Sequence, residues 1–83
     1  MKPITKKLIV RSEQGLHARP AALFVQAAGR FDCKITVSKD GQSVNGKSIM
    51  GILMLGAAKG TEISIQALGD DAACAIEELE KIV

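Results

Sequence analysis

Tryptophan and tyrosine are missing from this 83-residue chain, and phenylalanine occurs only twice, as Phe24 and Phe31. The apolar residues, 47% of the total, must therefore build a mainly aliphatic core of Ile, Leu, Val, Met and Ala. A surface that stacks single-stranded bases would have almost nothing to stack with. Charge of one sign is lacking too: eleven Lys and Arg against nine Asp and Glu leave a net +2. Nucleic acid calls for a basic stripe, and none is present. No nucleic acid is expected as a partner.

Histidine occurs once and cysteine twice, with Cys33 and Cys74 far apart and no C-x-x-C. That leaves too few ligands for a zinc site, so no metal and no cofactor are expected. The cysteines read as small hydrophobes. Long apolar runs are missing as well. The longest, IMGILMLGAA at residues 49–58, is about half the ~20 residues that a membrane span needs. The start, MKPITKK, has no apolar signal region. These absences lead to the expectation of one soluble, cytoplasmic domain over residues 1–83.

The stretch GQSVNGKS, residues 41–48, fits the nucleotide-binding pattern G-x-x-x-x-G-K-[ST] without a mismatch. Such a loop needs a buried parallel strand before it, a long helix after it and a further strand with a magnesium-binding Asp. Here Gly41 belongs to an Asp-Gly hairpin signal, and residues 42–45 read as strand. Too little chain follows for the rest of a nucleotide-binding sheet. ATP binding through this segment is not expected.

Residues 4–11 predict a first strand with Ile4, Leu8 and Val10 on one face. ARPAALFVQAA predicts a helix with a stripe of Leu23, Phe24, Ala27 and Ala28, ended by Gly29. KITVSK alternates, with Ile35 and Val37 inward, and QSVN returns as a third strand. Ser48 can cap a short helix over IMGILML. TEISIQAL forms a fourth strand with Ile63, Ile65 and Ala67 inward. Asp70 or Asp71 then caps a last helix with Ala72, Ala75, Ile76, Leu79 and Ile82 as its stripe. Alternating strands bury one face, so the order βαββαβα implies an α+β, open-faced β-sandwich. Its sheet is antiparallel and four-stranded, with all three helices on one side.

The single histidine lies in GLHARP, just before the first helix. Taken alone, it reads as an exposed or capping residue. Its neighbours point further. A helix N-terminus offers unpaired amides, beginning with Ala18 and Arg19, and a partial positive charge that suits phosphate. Arg19 adds a guanidinium able to grip phosphate oxygens in pairs. Pro20 loses no bond in the first turn, and Gly15 permits the sharp approach that aims His17 at the helix end. The same field opposes a proton on the ring and favours the neutral, nucleophilic imidazole. His17 is thereby equipped to take up a phosphoryl group and to release it. No second catalytic group is evident, so the chain reads as a carrier rather than an enzyme.

A second region is KSIMGILML, where Ile49, Met50, Ile52, Leu53, Met54 and Leu55 make a short helix apolar nearly all round. One sheet face cannot cover every side, so part should face water as a docking patch. The alternative is a core helix with chance exposures. A phosphate on Ser48 would agree with the helix dipole yet set a dianion beside that patch. Lys47 beside it can be simply solvated.

GLHARP and NGKSIMGILML together resemble the two signatures of the HPr family, the histidine phosphocarriers of the bacterial phosphoenolpyruvate-dependent sugar phosphotransferase system. The resemblance runs over essentially the whole chain. It implies sheet order 1-4-2-3. It implies that His17 accepts a phosphoryl group through Nδ1 from phosphorylated Enzyme I and passes it to sugar-specific Enzyme II A domains. Arg19 would match the family's active-site arginine, and Ser48 the serine modified by the ATP-dependent HPr kinase/phosphorylase. Ile49, Met50 and Leu53 would fall in the partner surface, with a transcriptional regulator as a further partner. A monomer suits a carrier that shows one face to successive partners. The competing reading is a regulatory HPr-like module, carbon- or nitrogen-linked, controlled mainly through Ser48. The presence of His17 argues against the regulatory relatives that have lost it.

Overall fold

A computed structural model describes residues 2–83. Along the chain it contains β1 (Ile4–Ile9), α1 (Ala18–Gly29), β2 (Lys34–Lys39), β3 (Gln42–Asn45), α2 (Ile49–Leu55), β4 (Glu62–Leu68) and α3 (Ala72–Ile82). The strands form one antiparallel sheet in the order β1-β4-β2-β3. Neighbours in sequence are therefore not always neighbours in the sheet. Helix α1 carries the chain from β1 past one sheet position to β2, and α2 carries it from β3 to β4, while α3 follows β4.

The inward rows are those that the alternation predicts. Ile35 and Val37 of β2, and Ile63, Ile65 and Ala67 of β4, are buried, while Thr36, Ser38, Ser64 and Gln66 face outward. Between β2 and β3 the chain turns at Asp40 (φ 49°) and Gly41 (φ 81°). Both central residues of a tight type I′ hairpin must be left-handed, and Asp-Gly meets that demand. Residues 41–48 are thus a turn, a strand and a helix cap, with no loop to wrap a phosphate. Among the described residues no polar or charged side chain is buried.

Five sequence expectations need correction. Ile4 is 41% exposed, because β1 is an edge strand and its inward row also carries Lys6, paired with Glu80 of α3 at 2.6 Å. Val10, just past the strand, is the buried anchor instead. In α1 the buried stripe is Ala21, Phe24, Ala27 and Ala28, and Leu23 is 47% exposed. Steps of three and four from Ala21 keep to one face, whereas Leu23 sits about 100° around the helix from Phe24. Gly29 is the last helical residue rather than a left-handed cap. The next residue, Arg30, stays right-handed, its N–H donating to the Ala27 carbonyl while the Phe31 N–H donates to that of Ala28. Finally, Asp71 stands at the α3 N-cap position but makes no side-chain cap there. Ile82 of that helix is only half-buried.

Candidate functional site

The segment before α1 is pinned to the segment after α2. Leu16 donates its N–H to the Ala57 carbonyl at 2.8 Å, and its side chain is fully buried. Gly15 has φ +70°, and a Cβ there would lie 2.5 Å from the Ala57 oxygen and 2.9 Å from Ala58 Cα. Both contacts are to backbone, so only glycine fits. The Gly15 N–H closes the turn onto Ser12 at 3.0 Å. Buried Gly15 and Leu16 therefore fix the chain immediately before the exposed residue His17.

His17 itself is the α1 N-cap, extended at φ −142° and ψ 162°, and its ring makes no cap hydrogen bond. The ring is left free for other partners. Ala18 follows with φ 47°. A left-handed alanine costs roughly 1–2 kcal/mol, and such strain gathers where a backbone group must be aimed. The amides of the first turn have no carbonyl within the helix to reach, and Pro20 has none to offer. No acidic residue occupies that turn, so the positive helix end is unopposed from within α1. Arg19 is exposed, and no ion pair among the described residues uses it. His17 and Arg19, both exposed, and the free amides of the first turn all belong to one helix end. The arrangement can hold a tetrahedral oxyanion beside an imidazole.

Ser48 lies at the start of α2, where its Oγ accepts the Gly51 N–H at 3.1 Å. Gly51 approaches Val44 and Asn45 closely, which seats the helix on β3. From Ser48 the helix runs only to Leu55, where Gly56 ends it in the left-handed region at φ 62°. The following residue is Ala57, the acceptor for Leu16. The end of the apolar helix is thus joined to the loop before His17. Ile52 and Leu55 are buried, Leu53 is half-buried, and Ile49 is exposed. Met50 and Met54 are 63% and 69% exposed, and at i and i+4 they share a face. The sequence named Ile49, Met50 and Leu53 for partner contact but not Met54. The i, i+4 spacing from Met50 was the signal available.

Two lysines that the sequence left unassigned also have partners. Lys47 Nζ donates to the Phe31 carbonyl at 2.6 Å, beyond the end of α1, so it is not simply solvated. Lys39 Nζ sits 3.4 Å from the carbonyls of both Leu55 and Gly56. Among the described residues no three His, Cys, Asp or Glu side chains gather into a metal-sized group. Nor, among these residues, is any helix long and apolar enough to cross a membrane.

Comparison with known proteins agrees with this geometry. Residues 4–83 match the family model described as "PTS HPr component phosphorylation site". The chain is 48% identical to HPr-like protein Crh of Bacillus subtilis over 80 residues, 96% of this chain and 94% of that one. It is 43% identical to phosphocarrier protein HPr of Treponema pallidum over 79 residues, covering 95% and 90%. A crystal structure of HPr from Bacillus anthracis superposes with a TM-score of 0.95 at 48% identity, covering 98% and 96%. An HPr dimer from Thermoanaerobacter tengcongensis superposes at 0.76 with 48% identity, covering 90% and 86%. With the sheet order 1-4-2-3 and a family match across residues 4–83, the chain belongs to the HPr family of the phosphotransferase system, whose phosphocarriers are carriers rather than catalysts.

Proposed function

We propose that this chain carries a phosphoryl group on His17, taking it from phosphorylated Enzyme I and delivering it to Enzyme II A domains. The observation that supports this most is an exposed, uncapped ring at the start of α1, held by buried Gly15 and Leu16. In the first transfer the lone pair of His17 Nδ1 forms a bond to phosphorus as the bond between phosphorus and the donor breaks. The electron pair of that broken bond leaves with the donor, and nothing is oxidised or reduced. Arg19 and the free amides of Ala18 and Arg19 receive the phosphoryl oxygens. The second transfer is the same step with the acceptor as nucleophile. Ile49, Met50, Leu53 and Met54 dock both enzymes in turn, and a monomer serves such alternation best.

Ser48 is the regulatory position, modified by HPr kinase/phosphorylase. A phosphate there adds charge beside the docking face and weakens partner binding. Similarity to Crh, described as the Bacillus subtilis catabolite repression HPr, favours a second reading in which control through Ser48, with a transcriptional regulator as partner, is the main role. One experiment separates the two. The chain is incubated with phosphoenolpyruvate and Enzyme I, and intact mass is followed before and after mild acid. The carrier role requires an acid-labile phosphoryl group that His17→Ala abolishes. Acid-stable phosphate from ATP and the kinase alone, with no transfer from Enzyme I, would leave only the regulatory role.

A further inference from the structure

The inward row of β2 runs Ile35, Val37, Lys39. Two fully buried aliphatic side chains are followed by a half-buried lysine at the strand end. A cation at the margin of a core is unfavourable unless its head group finds a partner. Lys39 Nζ finds two, the carbonyls of Leu55 and Gly56, each at 3.4 Å. These belong to the C-terminal end of α2, where carbonyls lack intrahelical donors and carry partial negative charge. The last turn of α2 has no basic residue of its own. Lys39 supplies that cation from a different element, and no carboxylate competes for it among the described ion pairs.

The next carbonyl along the chain is that of Ala57, which accepts the Leu16 N–H at 2.8 Å and against which Gly15 is packed. Three successive carbonyls are therefore held from different directions. Lys39 holds those of residues 55 and 56, and the loop before His17 holds that of residue 57.

We infer that Lys39 is a positioning residue for His17, acting through residues 55–57 without touching the phosphoryl group. The inference rests on the carrier reading above. When the cation is lost, the two carbonyls turn to water, the segment after α2 loosens, and the Leu16–Ala57 bond opens more often. His17 then spends less time in line with the phosphorus. Of the docking residues, Ile49 and Met50 lie in the first turn of α2, away from Lys39, and only Leu53 and Met54 adjoin the loosened end, so docking is affected less than the chemical step.

The test uses the full chain as the varied substrate of Enzyme I, with Lys39→Met and Lys39→Arg. Lys39→Met is expected to lower kcat about tenfold, the scale of a sub-ångström misplacement, with KM changed less than about twofold. Lys39→Arg, which keeps the cation, restores kcat. Independently of activity, amide exchange at Leu16 should accelerate about tenfold in Lys39→Met while Ile65 in β4 keeps its protection. The inference is overturned if Leu16 exchange is unchanged, if Leu16 and Ile65 accelerate together, or if kcat is unaffected. Should Lys39→Met not fold, Lys39→Gln, which keeps donors without the charge, is measured in the same way. If the wild-type chain accepts no phosphoryl group, the carrier reading fails, and the exchange comparison still decides whether Lys39 holds the His17 loop.

Discussion

Asp71 and Cys33 are joined across the end of the sheet: Asp71 Oδ1 accepts the backbone N–H of Cys33 at 3.0 Å. The other carboxylate oxygen accepts the Asp32 N–H at 2.8 Å. A residue placed to cap α3 instead clasps the segment between α1 and β2. Gly69 makes the approach possible, because a Cβ there would meet Cys33 Cα at 2.7 Å. The clasp ties together elements far apart in sequence, and its consequences are measurable.

The Asp32 N–H, aided by the Cys33 thiol and N–H, holds the Asp71 carboxyl below its ordinary range despite the opposing effect of desolvation. A carboxylate depressed in the folded state contributes stability above its unfolded pKa and loses it as pH falls through the folded value. Asp71→Asn is therefore expected to be less stable than wild type at neutral pH. The gap should narrow in acid, as pH falls through that depressed folded value and the carboxyl takes up its proton. Urea unfolding at neutral and acid pH measures it. A gap that persists in acid would show that charge is not what the clasp contributes.

Burial first, and then the hydrogen bond and negative charge of Asp71, push the Cys33 thiol up to about 11, against a smaller pull from Lys47. Cys33 is also 2% exposed, whereas Cys74 lies on the open side of α3. An aromatic disulfide reagent at about pH 8 should titrate one thiol in the folded chain and two in denaturant. Cys74→Ser should abolish the fast reaction, and Cys33→Ser should not.

Ser48 contributes one cap bond to a helix of seven residues. Ser48→Ala is expected to cost about 1 kcal/mol in urea unfolding, and Ser48→Asp close to nothing, since aspartate also caps. Equal losses in the two variants would mean that the Oγ contact to Gly51 does not stabilise α2.

Alanine at position 18 is left-handed, while Ala22 lies within ordinary helix. Glycine removes the left-handed penalty at the first site and adds backbone freedom at both. Ala18→Gly should therefore change stability by less than about 0.5 kcal/mol, whereas Ala22→Gly should cost about 1 kcal/mol. Thermal melts of the pair compare them directly. Similar losses would argue against strain at Ala18.

Where side chains alternate or cap locally, sequence and structure agree closely. Strand β2, strand β3 and helix α2 begin and end at the expected residues, since Ile35, Val37, Asp40-Gly41 and Ser48 act through their immediate neighbours. The placement of His17 before α1 was legible for the same reason, because Gly15 and Pro20 punctuate the chain there. In α1 the expectation favoured Leu23 over Ala21, because a large apolar side chain reads as core. Helical phase decides otherwise: Ala21, three residues before Phe24, shares its buried face, and Leu23 is turned about 100° from it.

Periodicity, turn chemistry and the two short motifs determined the element types, the buried strand faces and the family to which the chain belongs. These depend on contacts within a few residues, and short-range contacts are written in consecutive letters. Tertiary structure alone decided that Asp71 would reach Cys33, 38 positions away, and that Lys39 would reach the end of α2, 16 positions on. Such partners are chosen by how helices settle on a twisted sheet, and no local pattern encodes which carbonyl or amide will lie within reach.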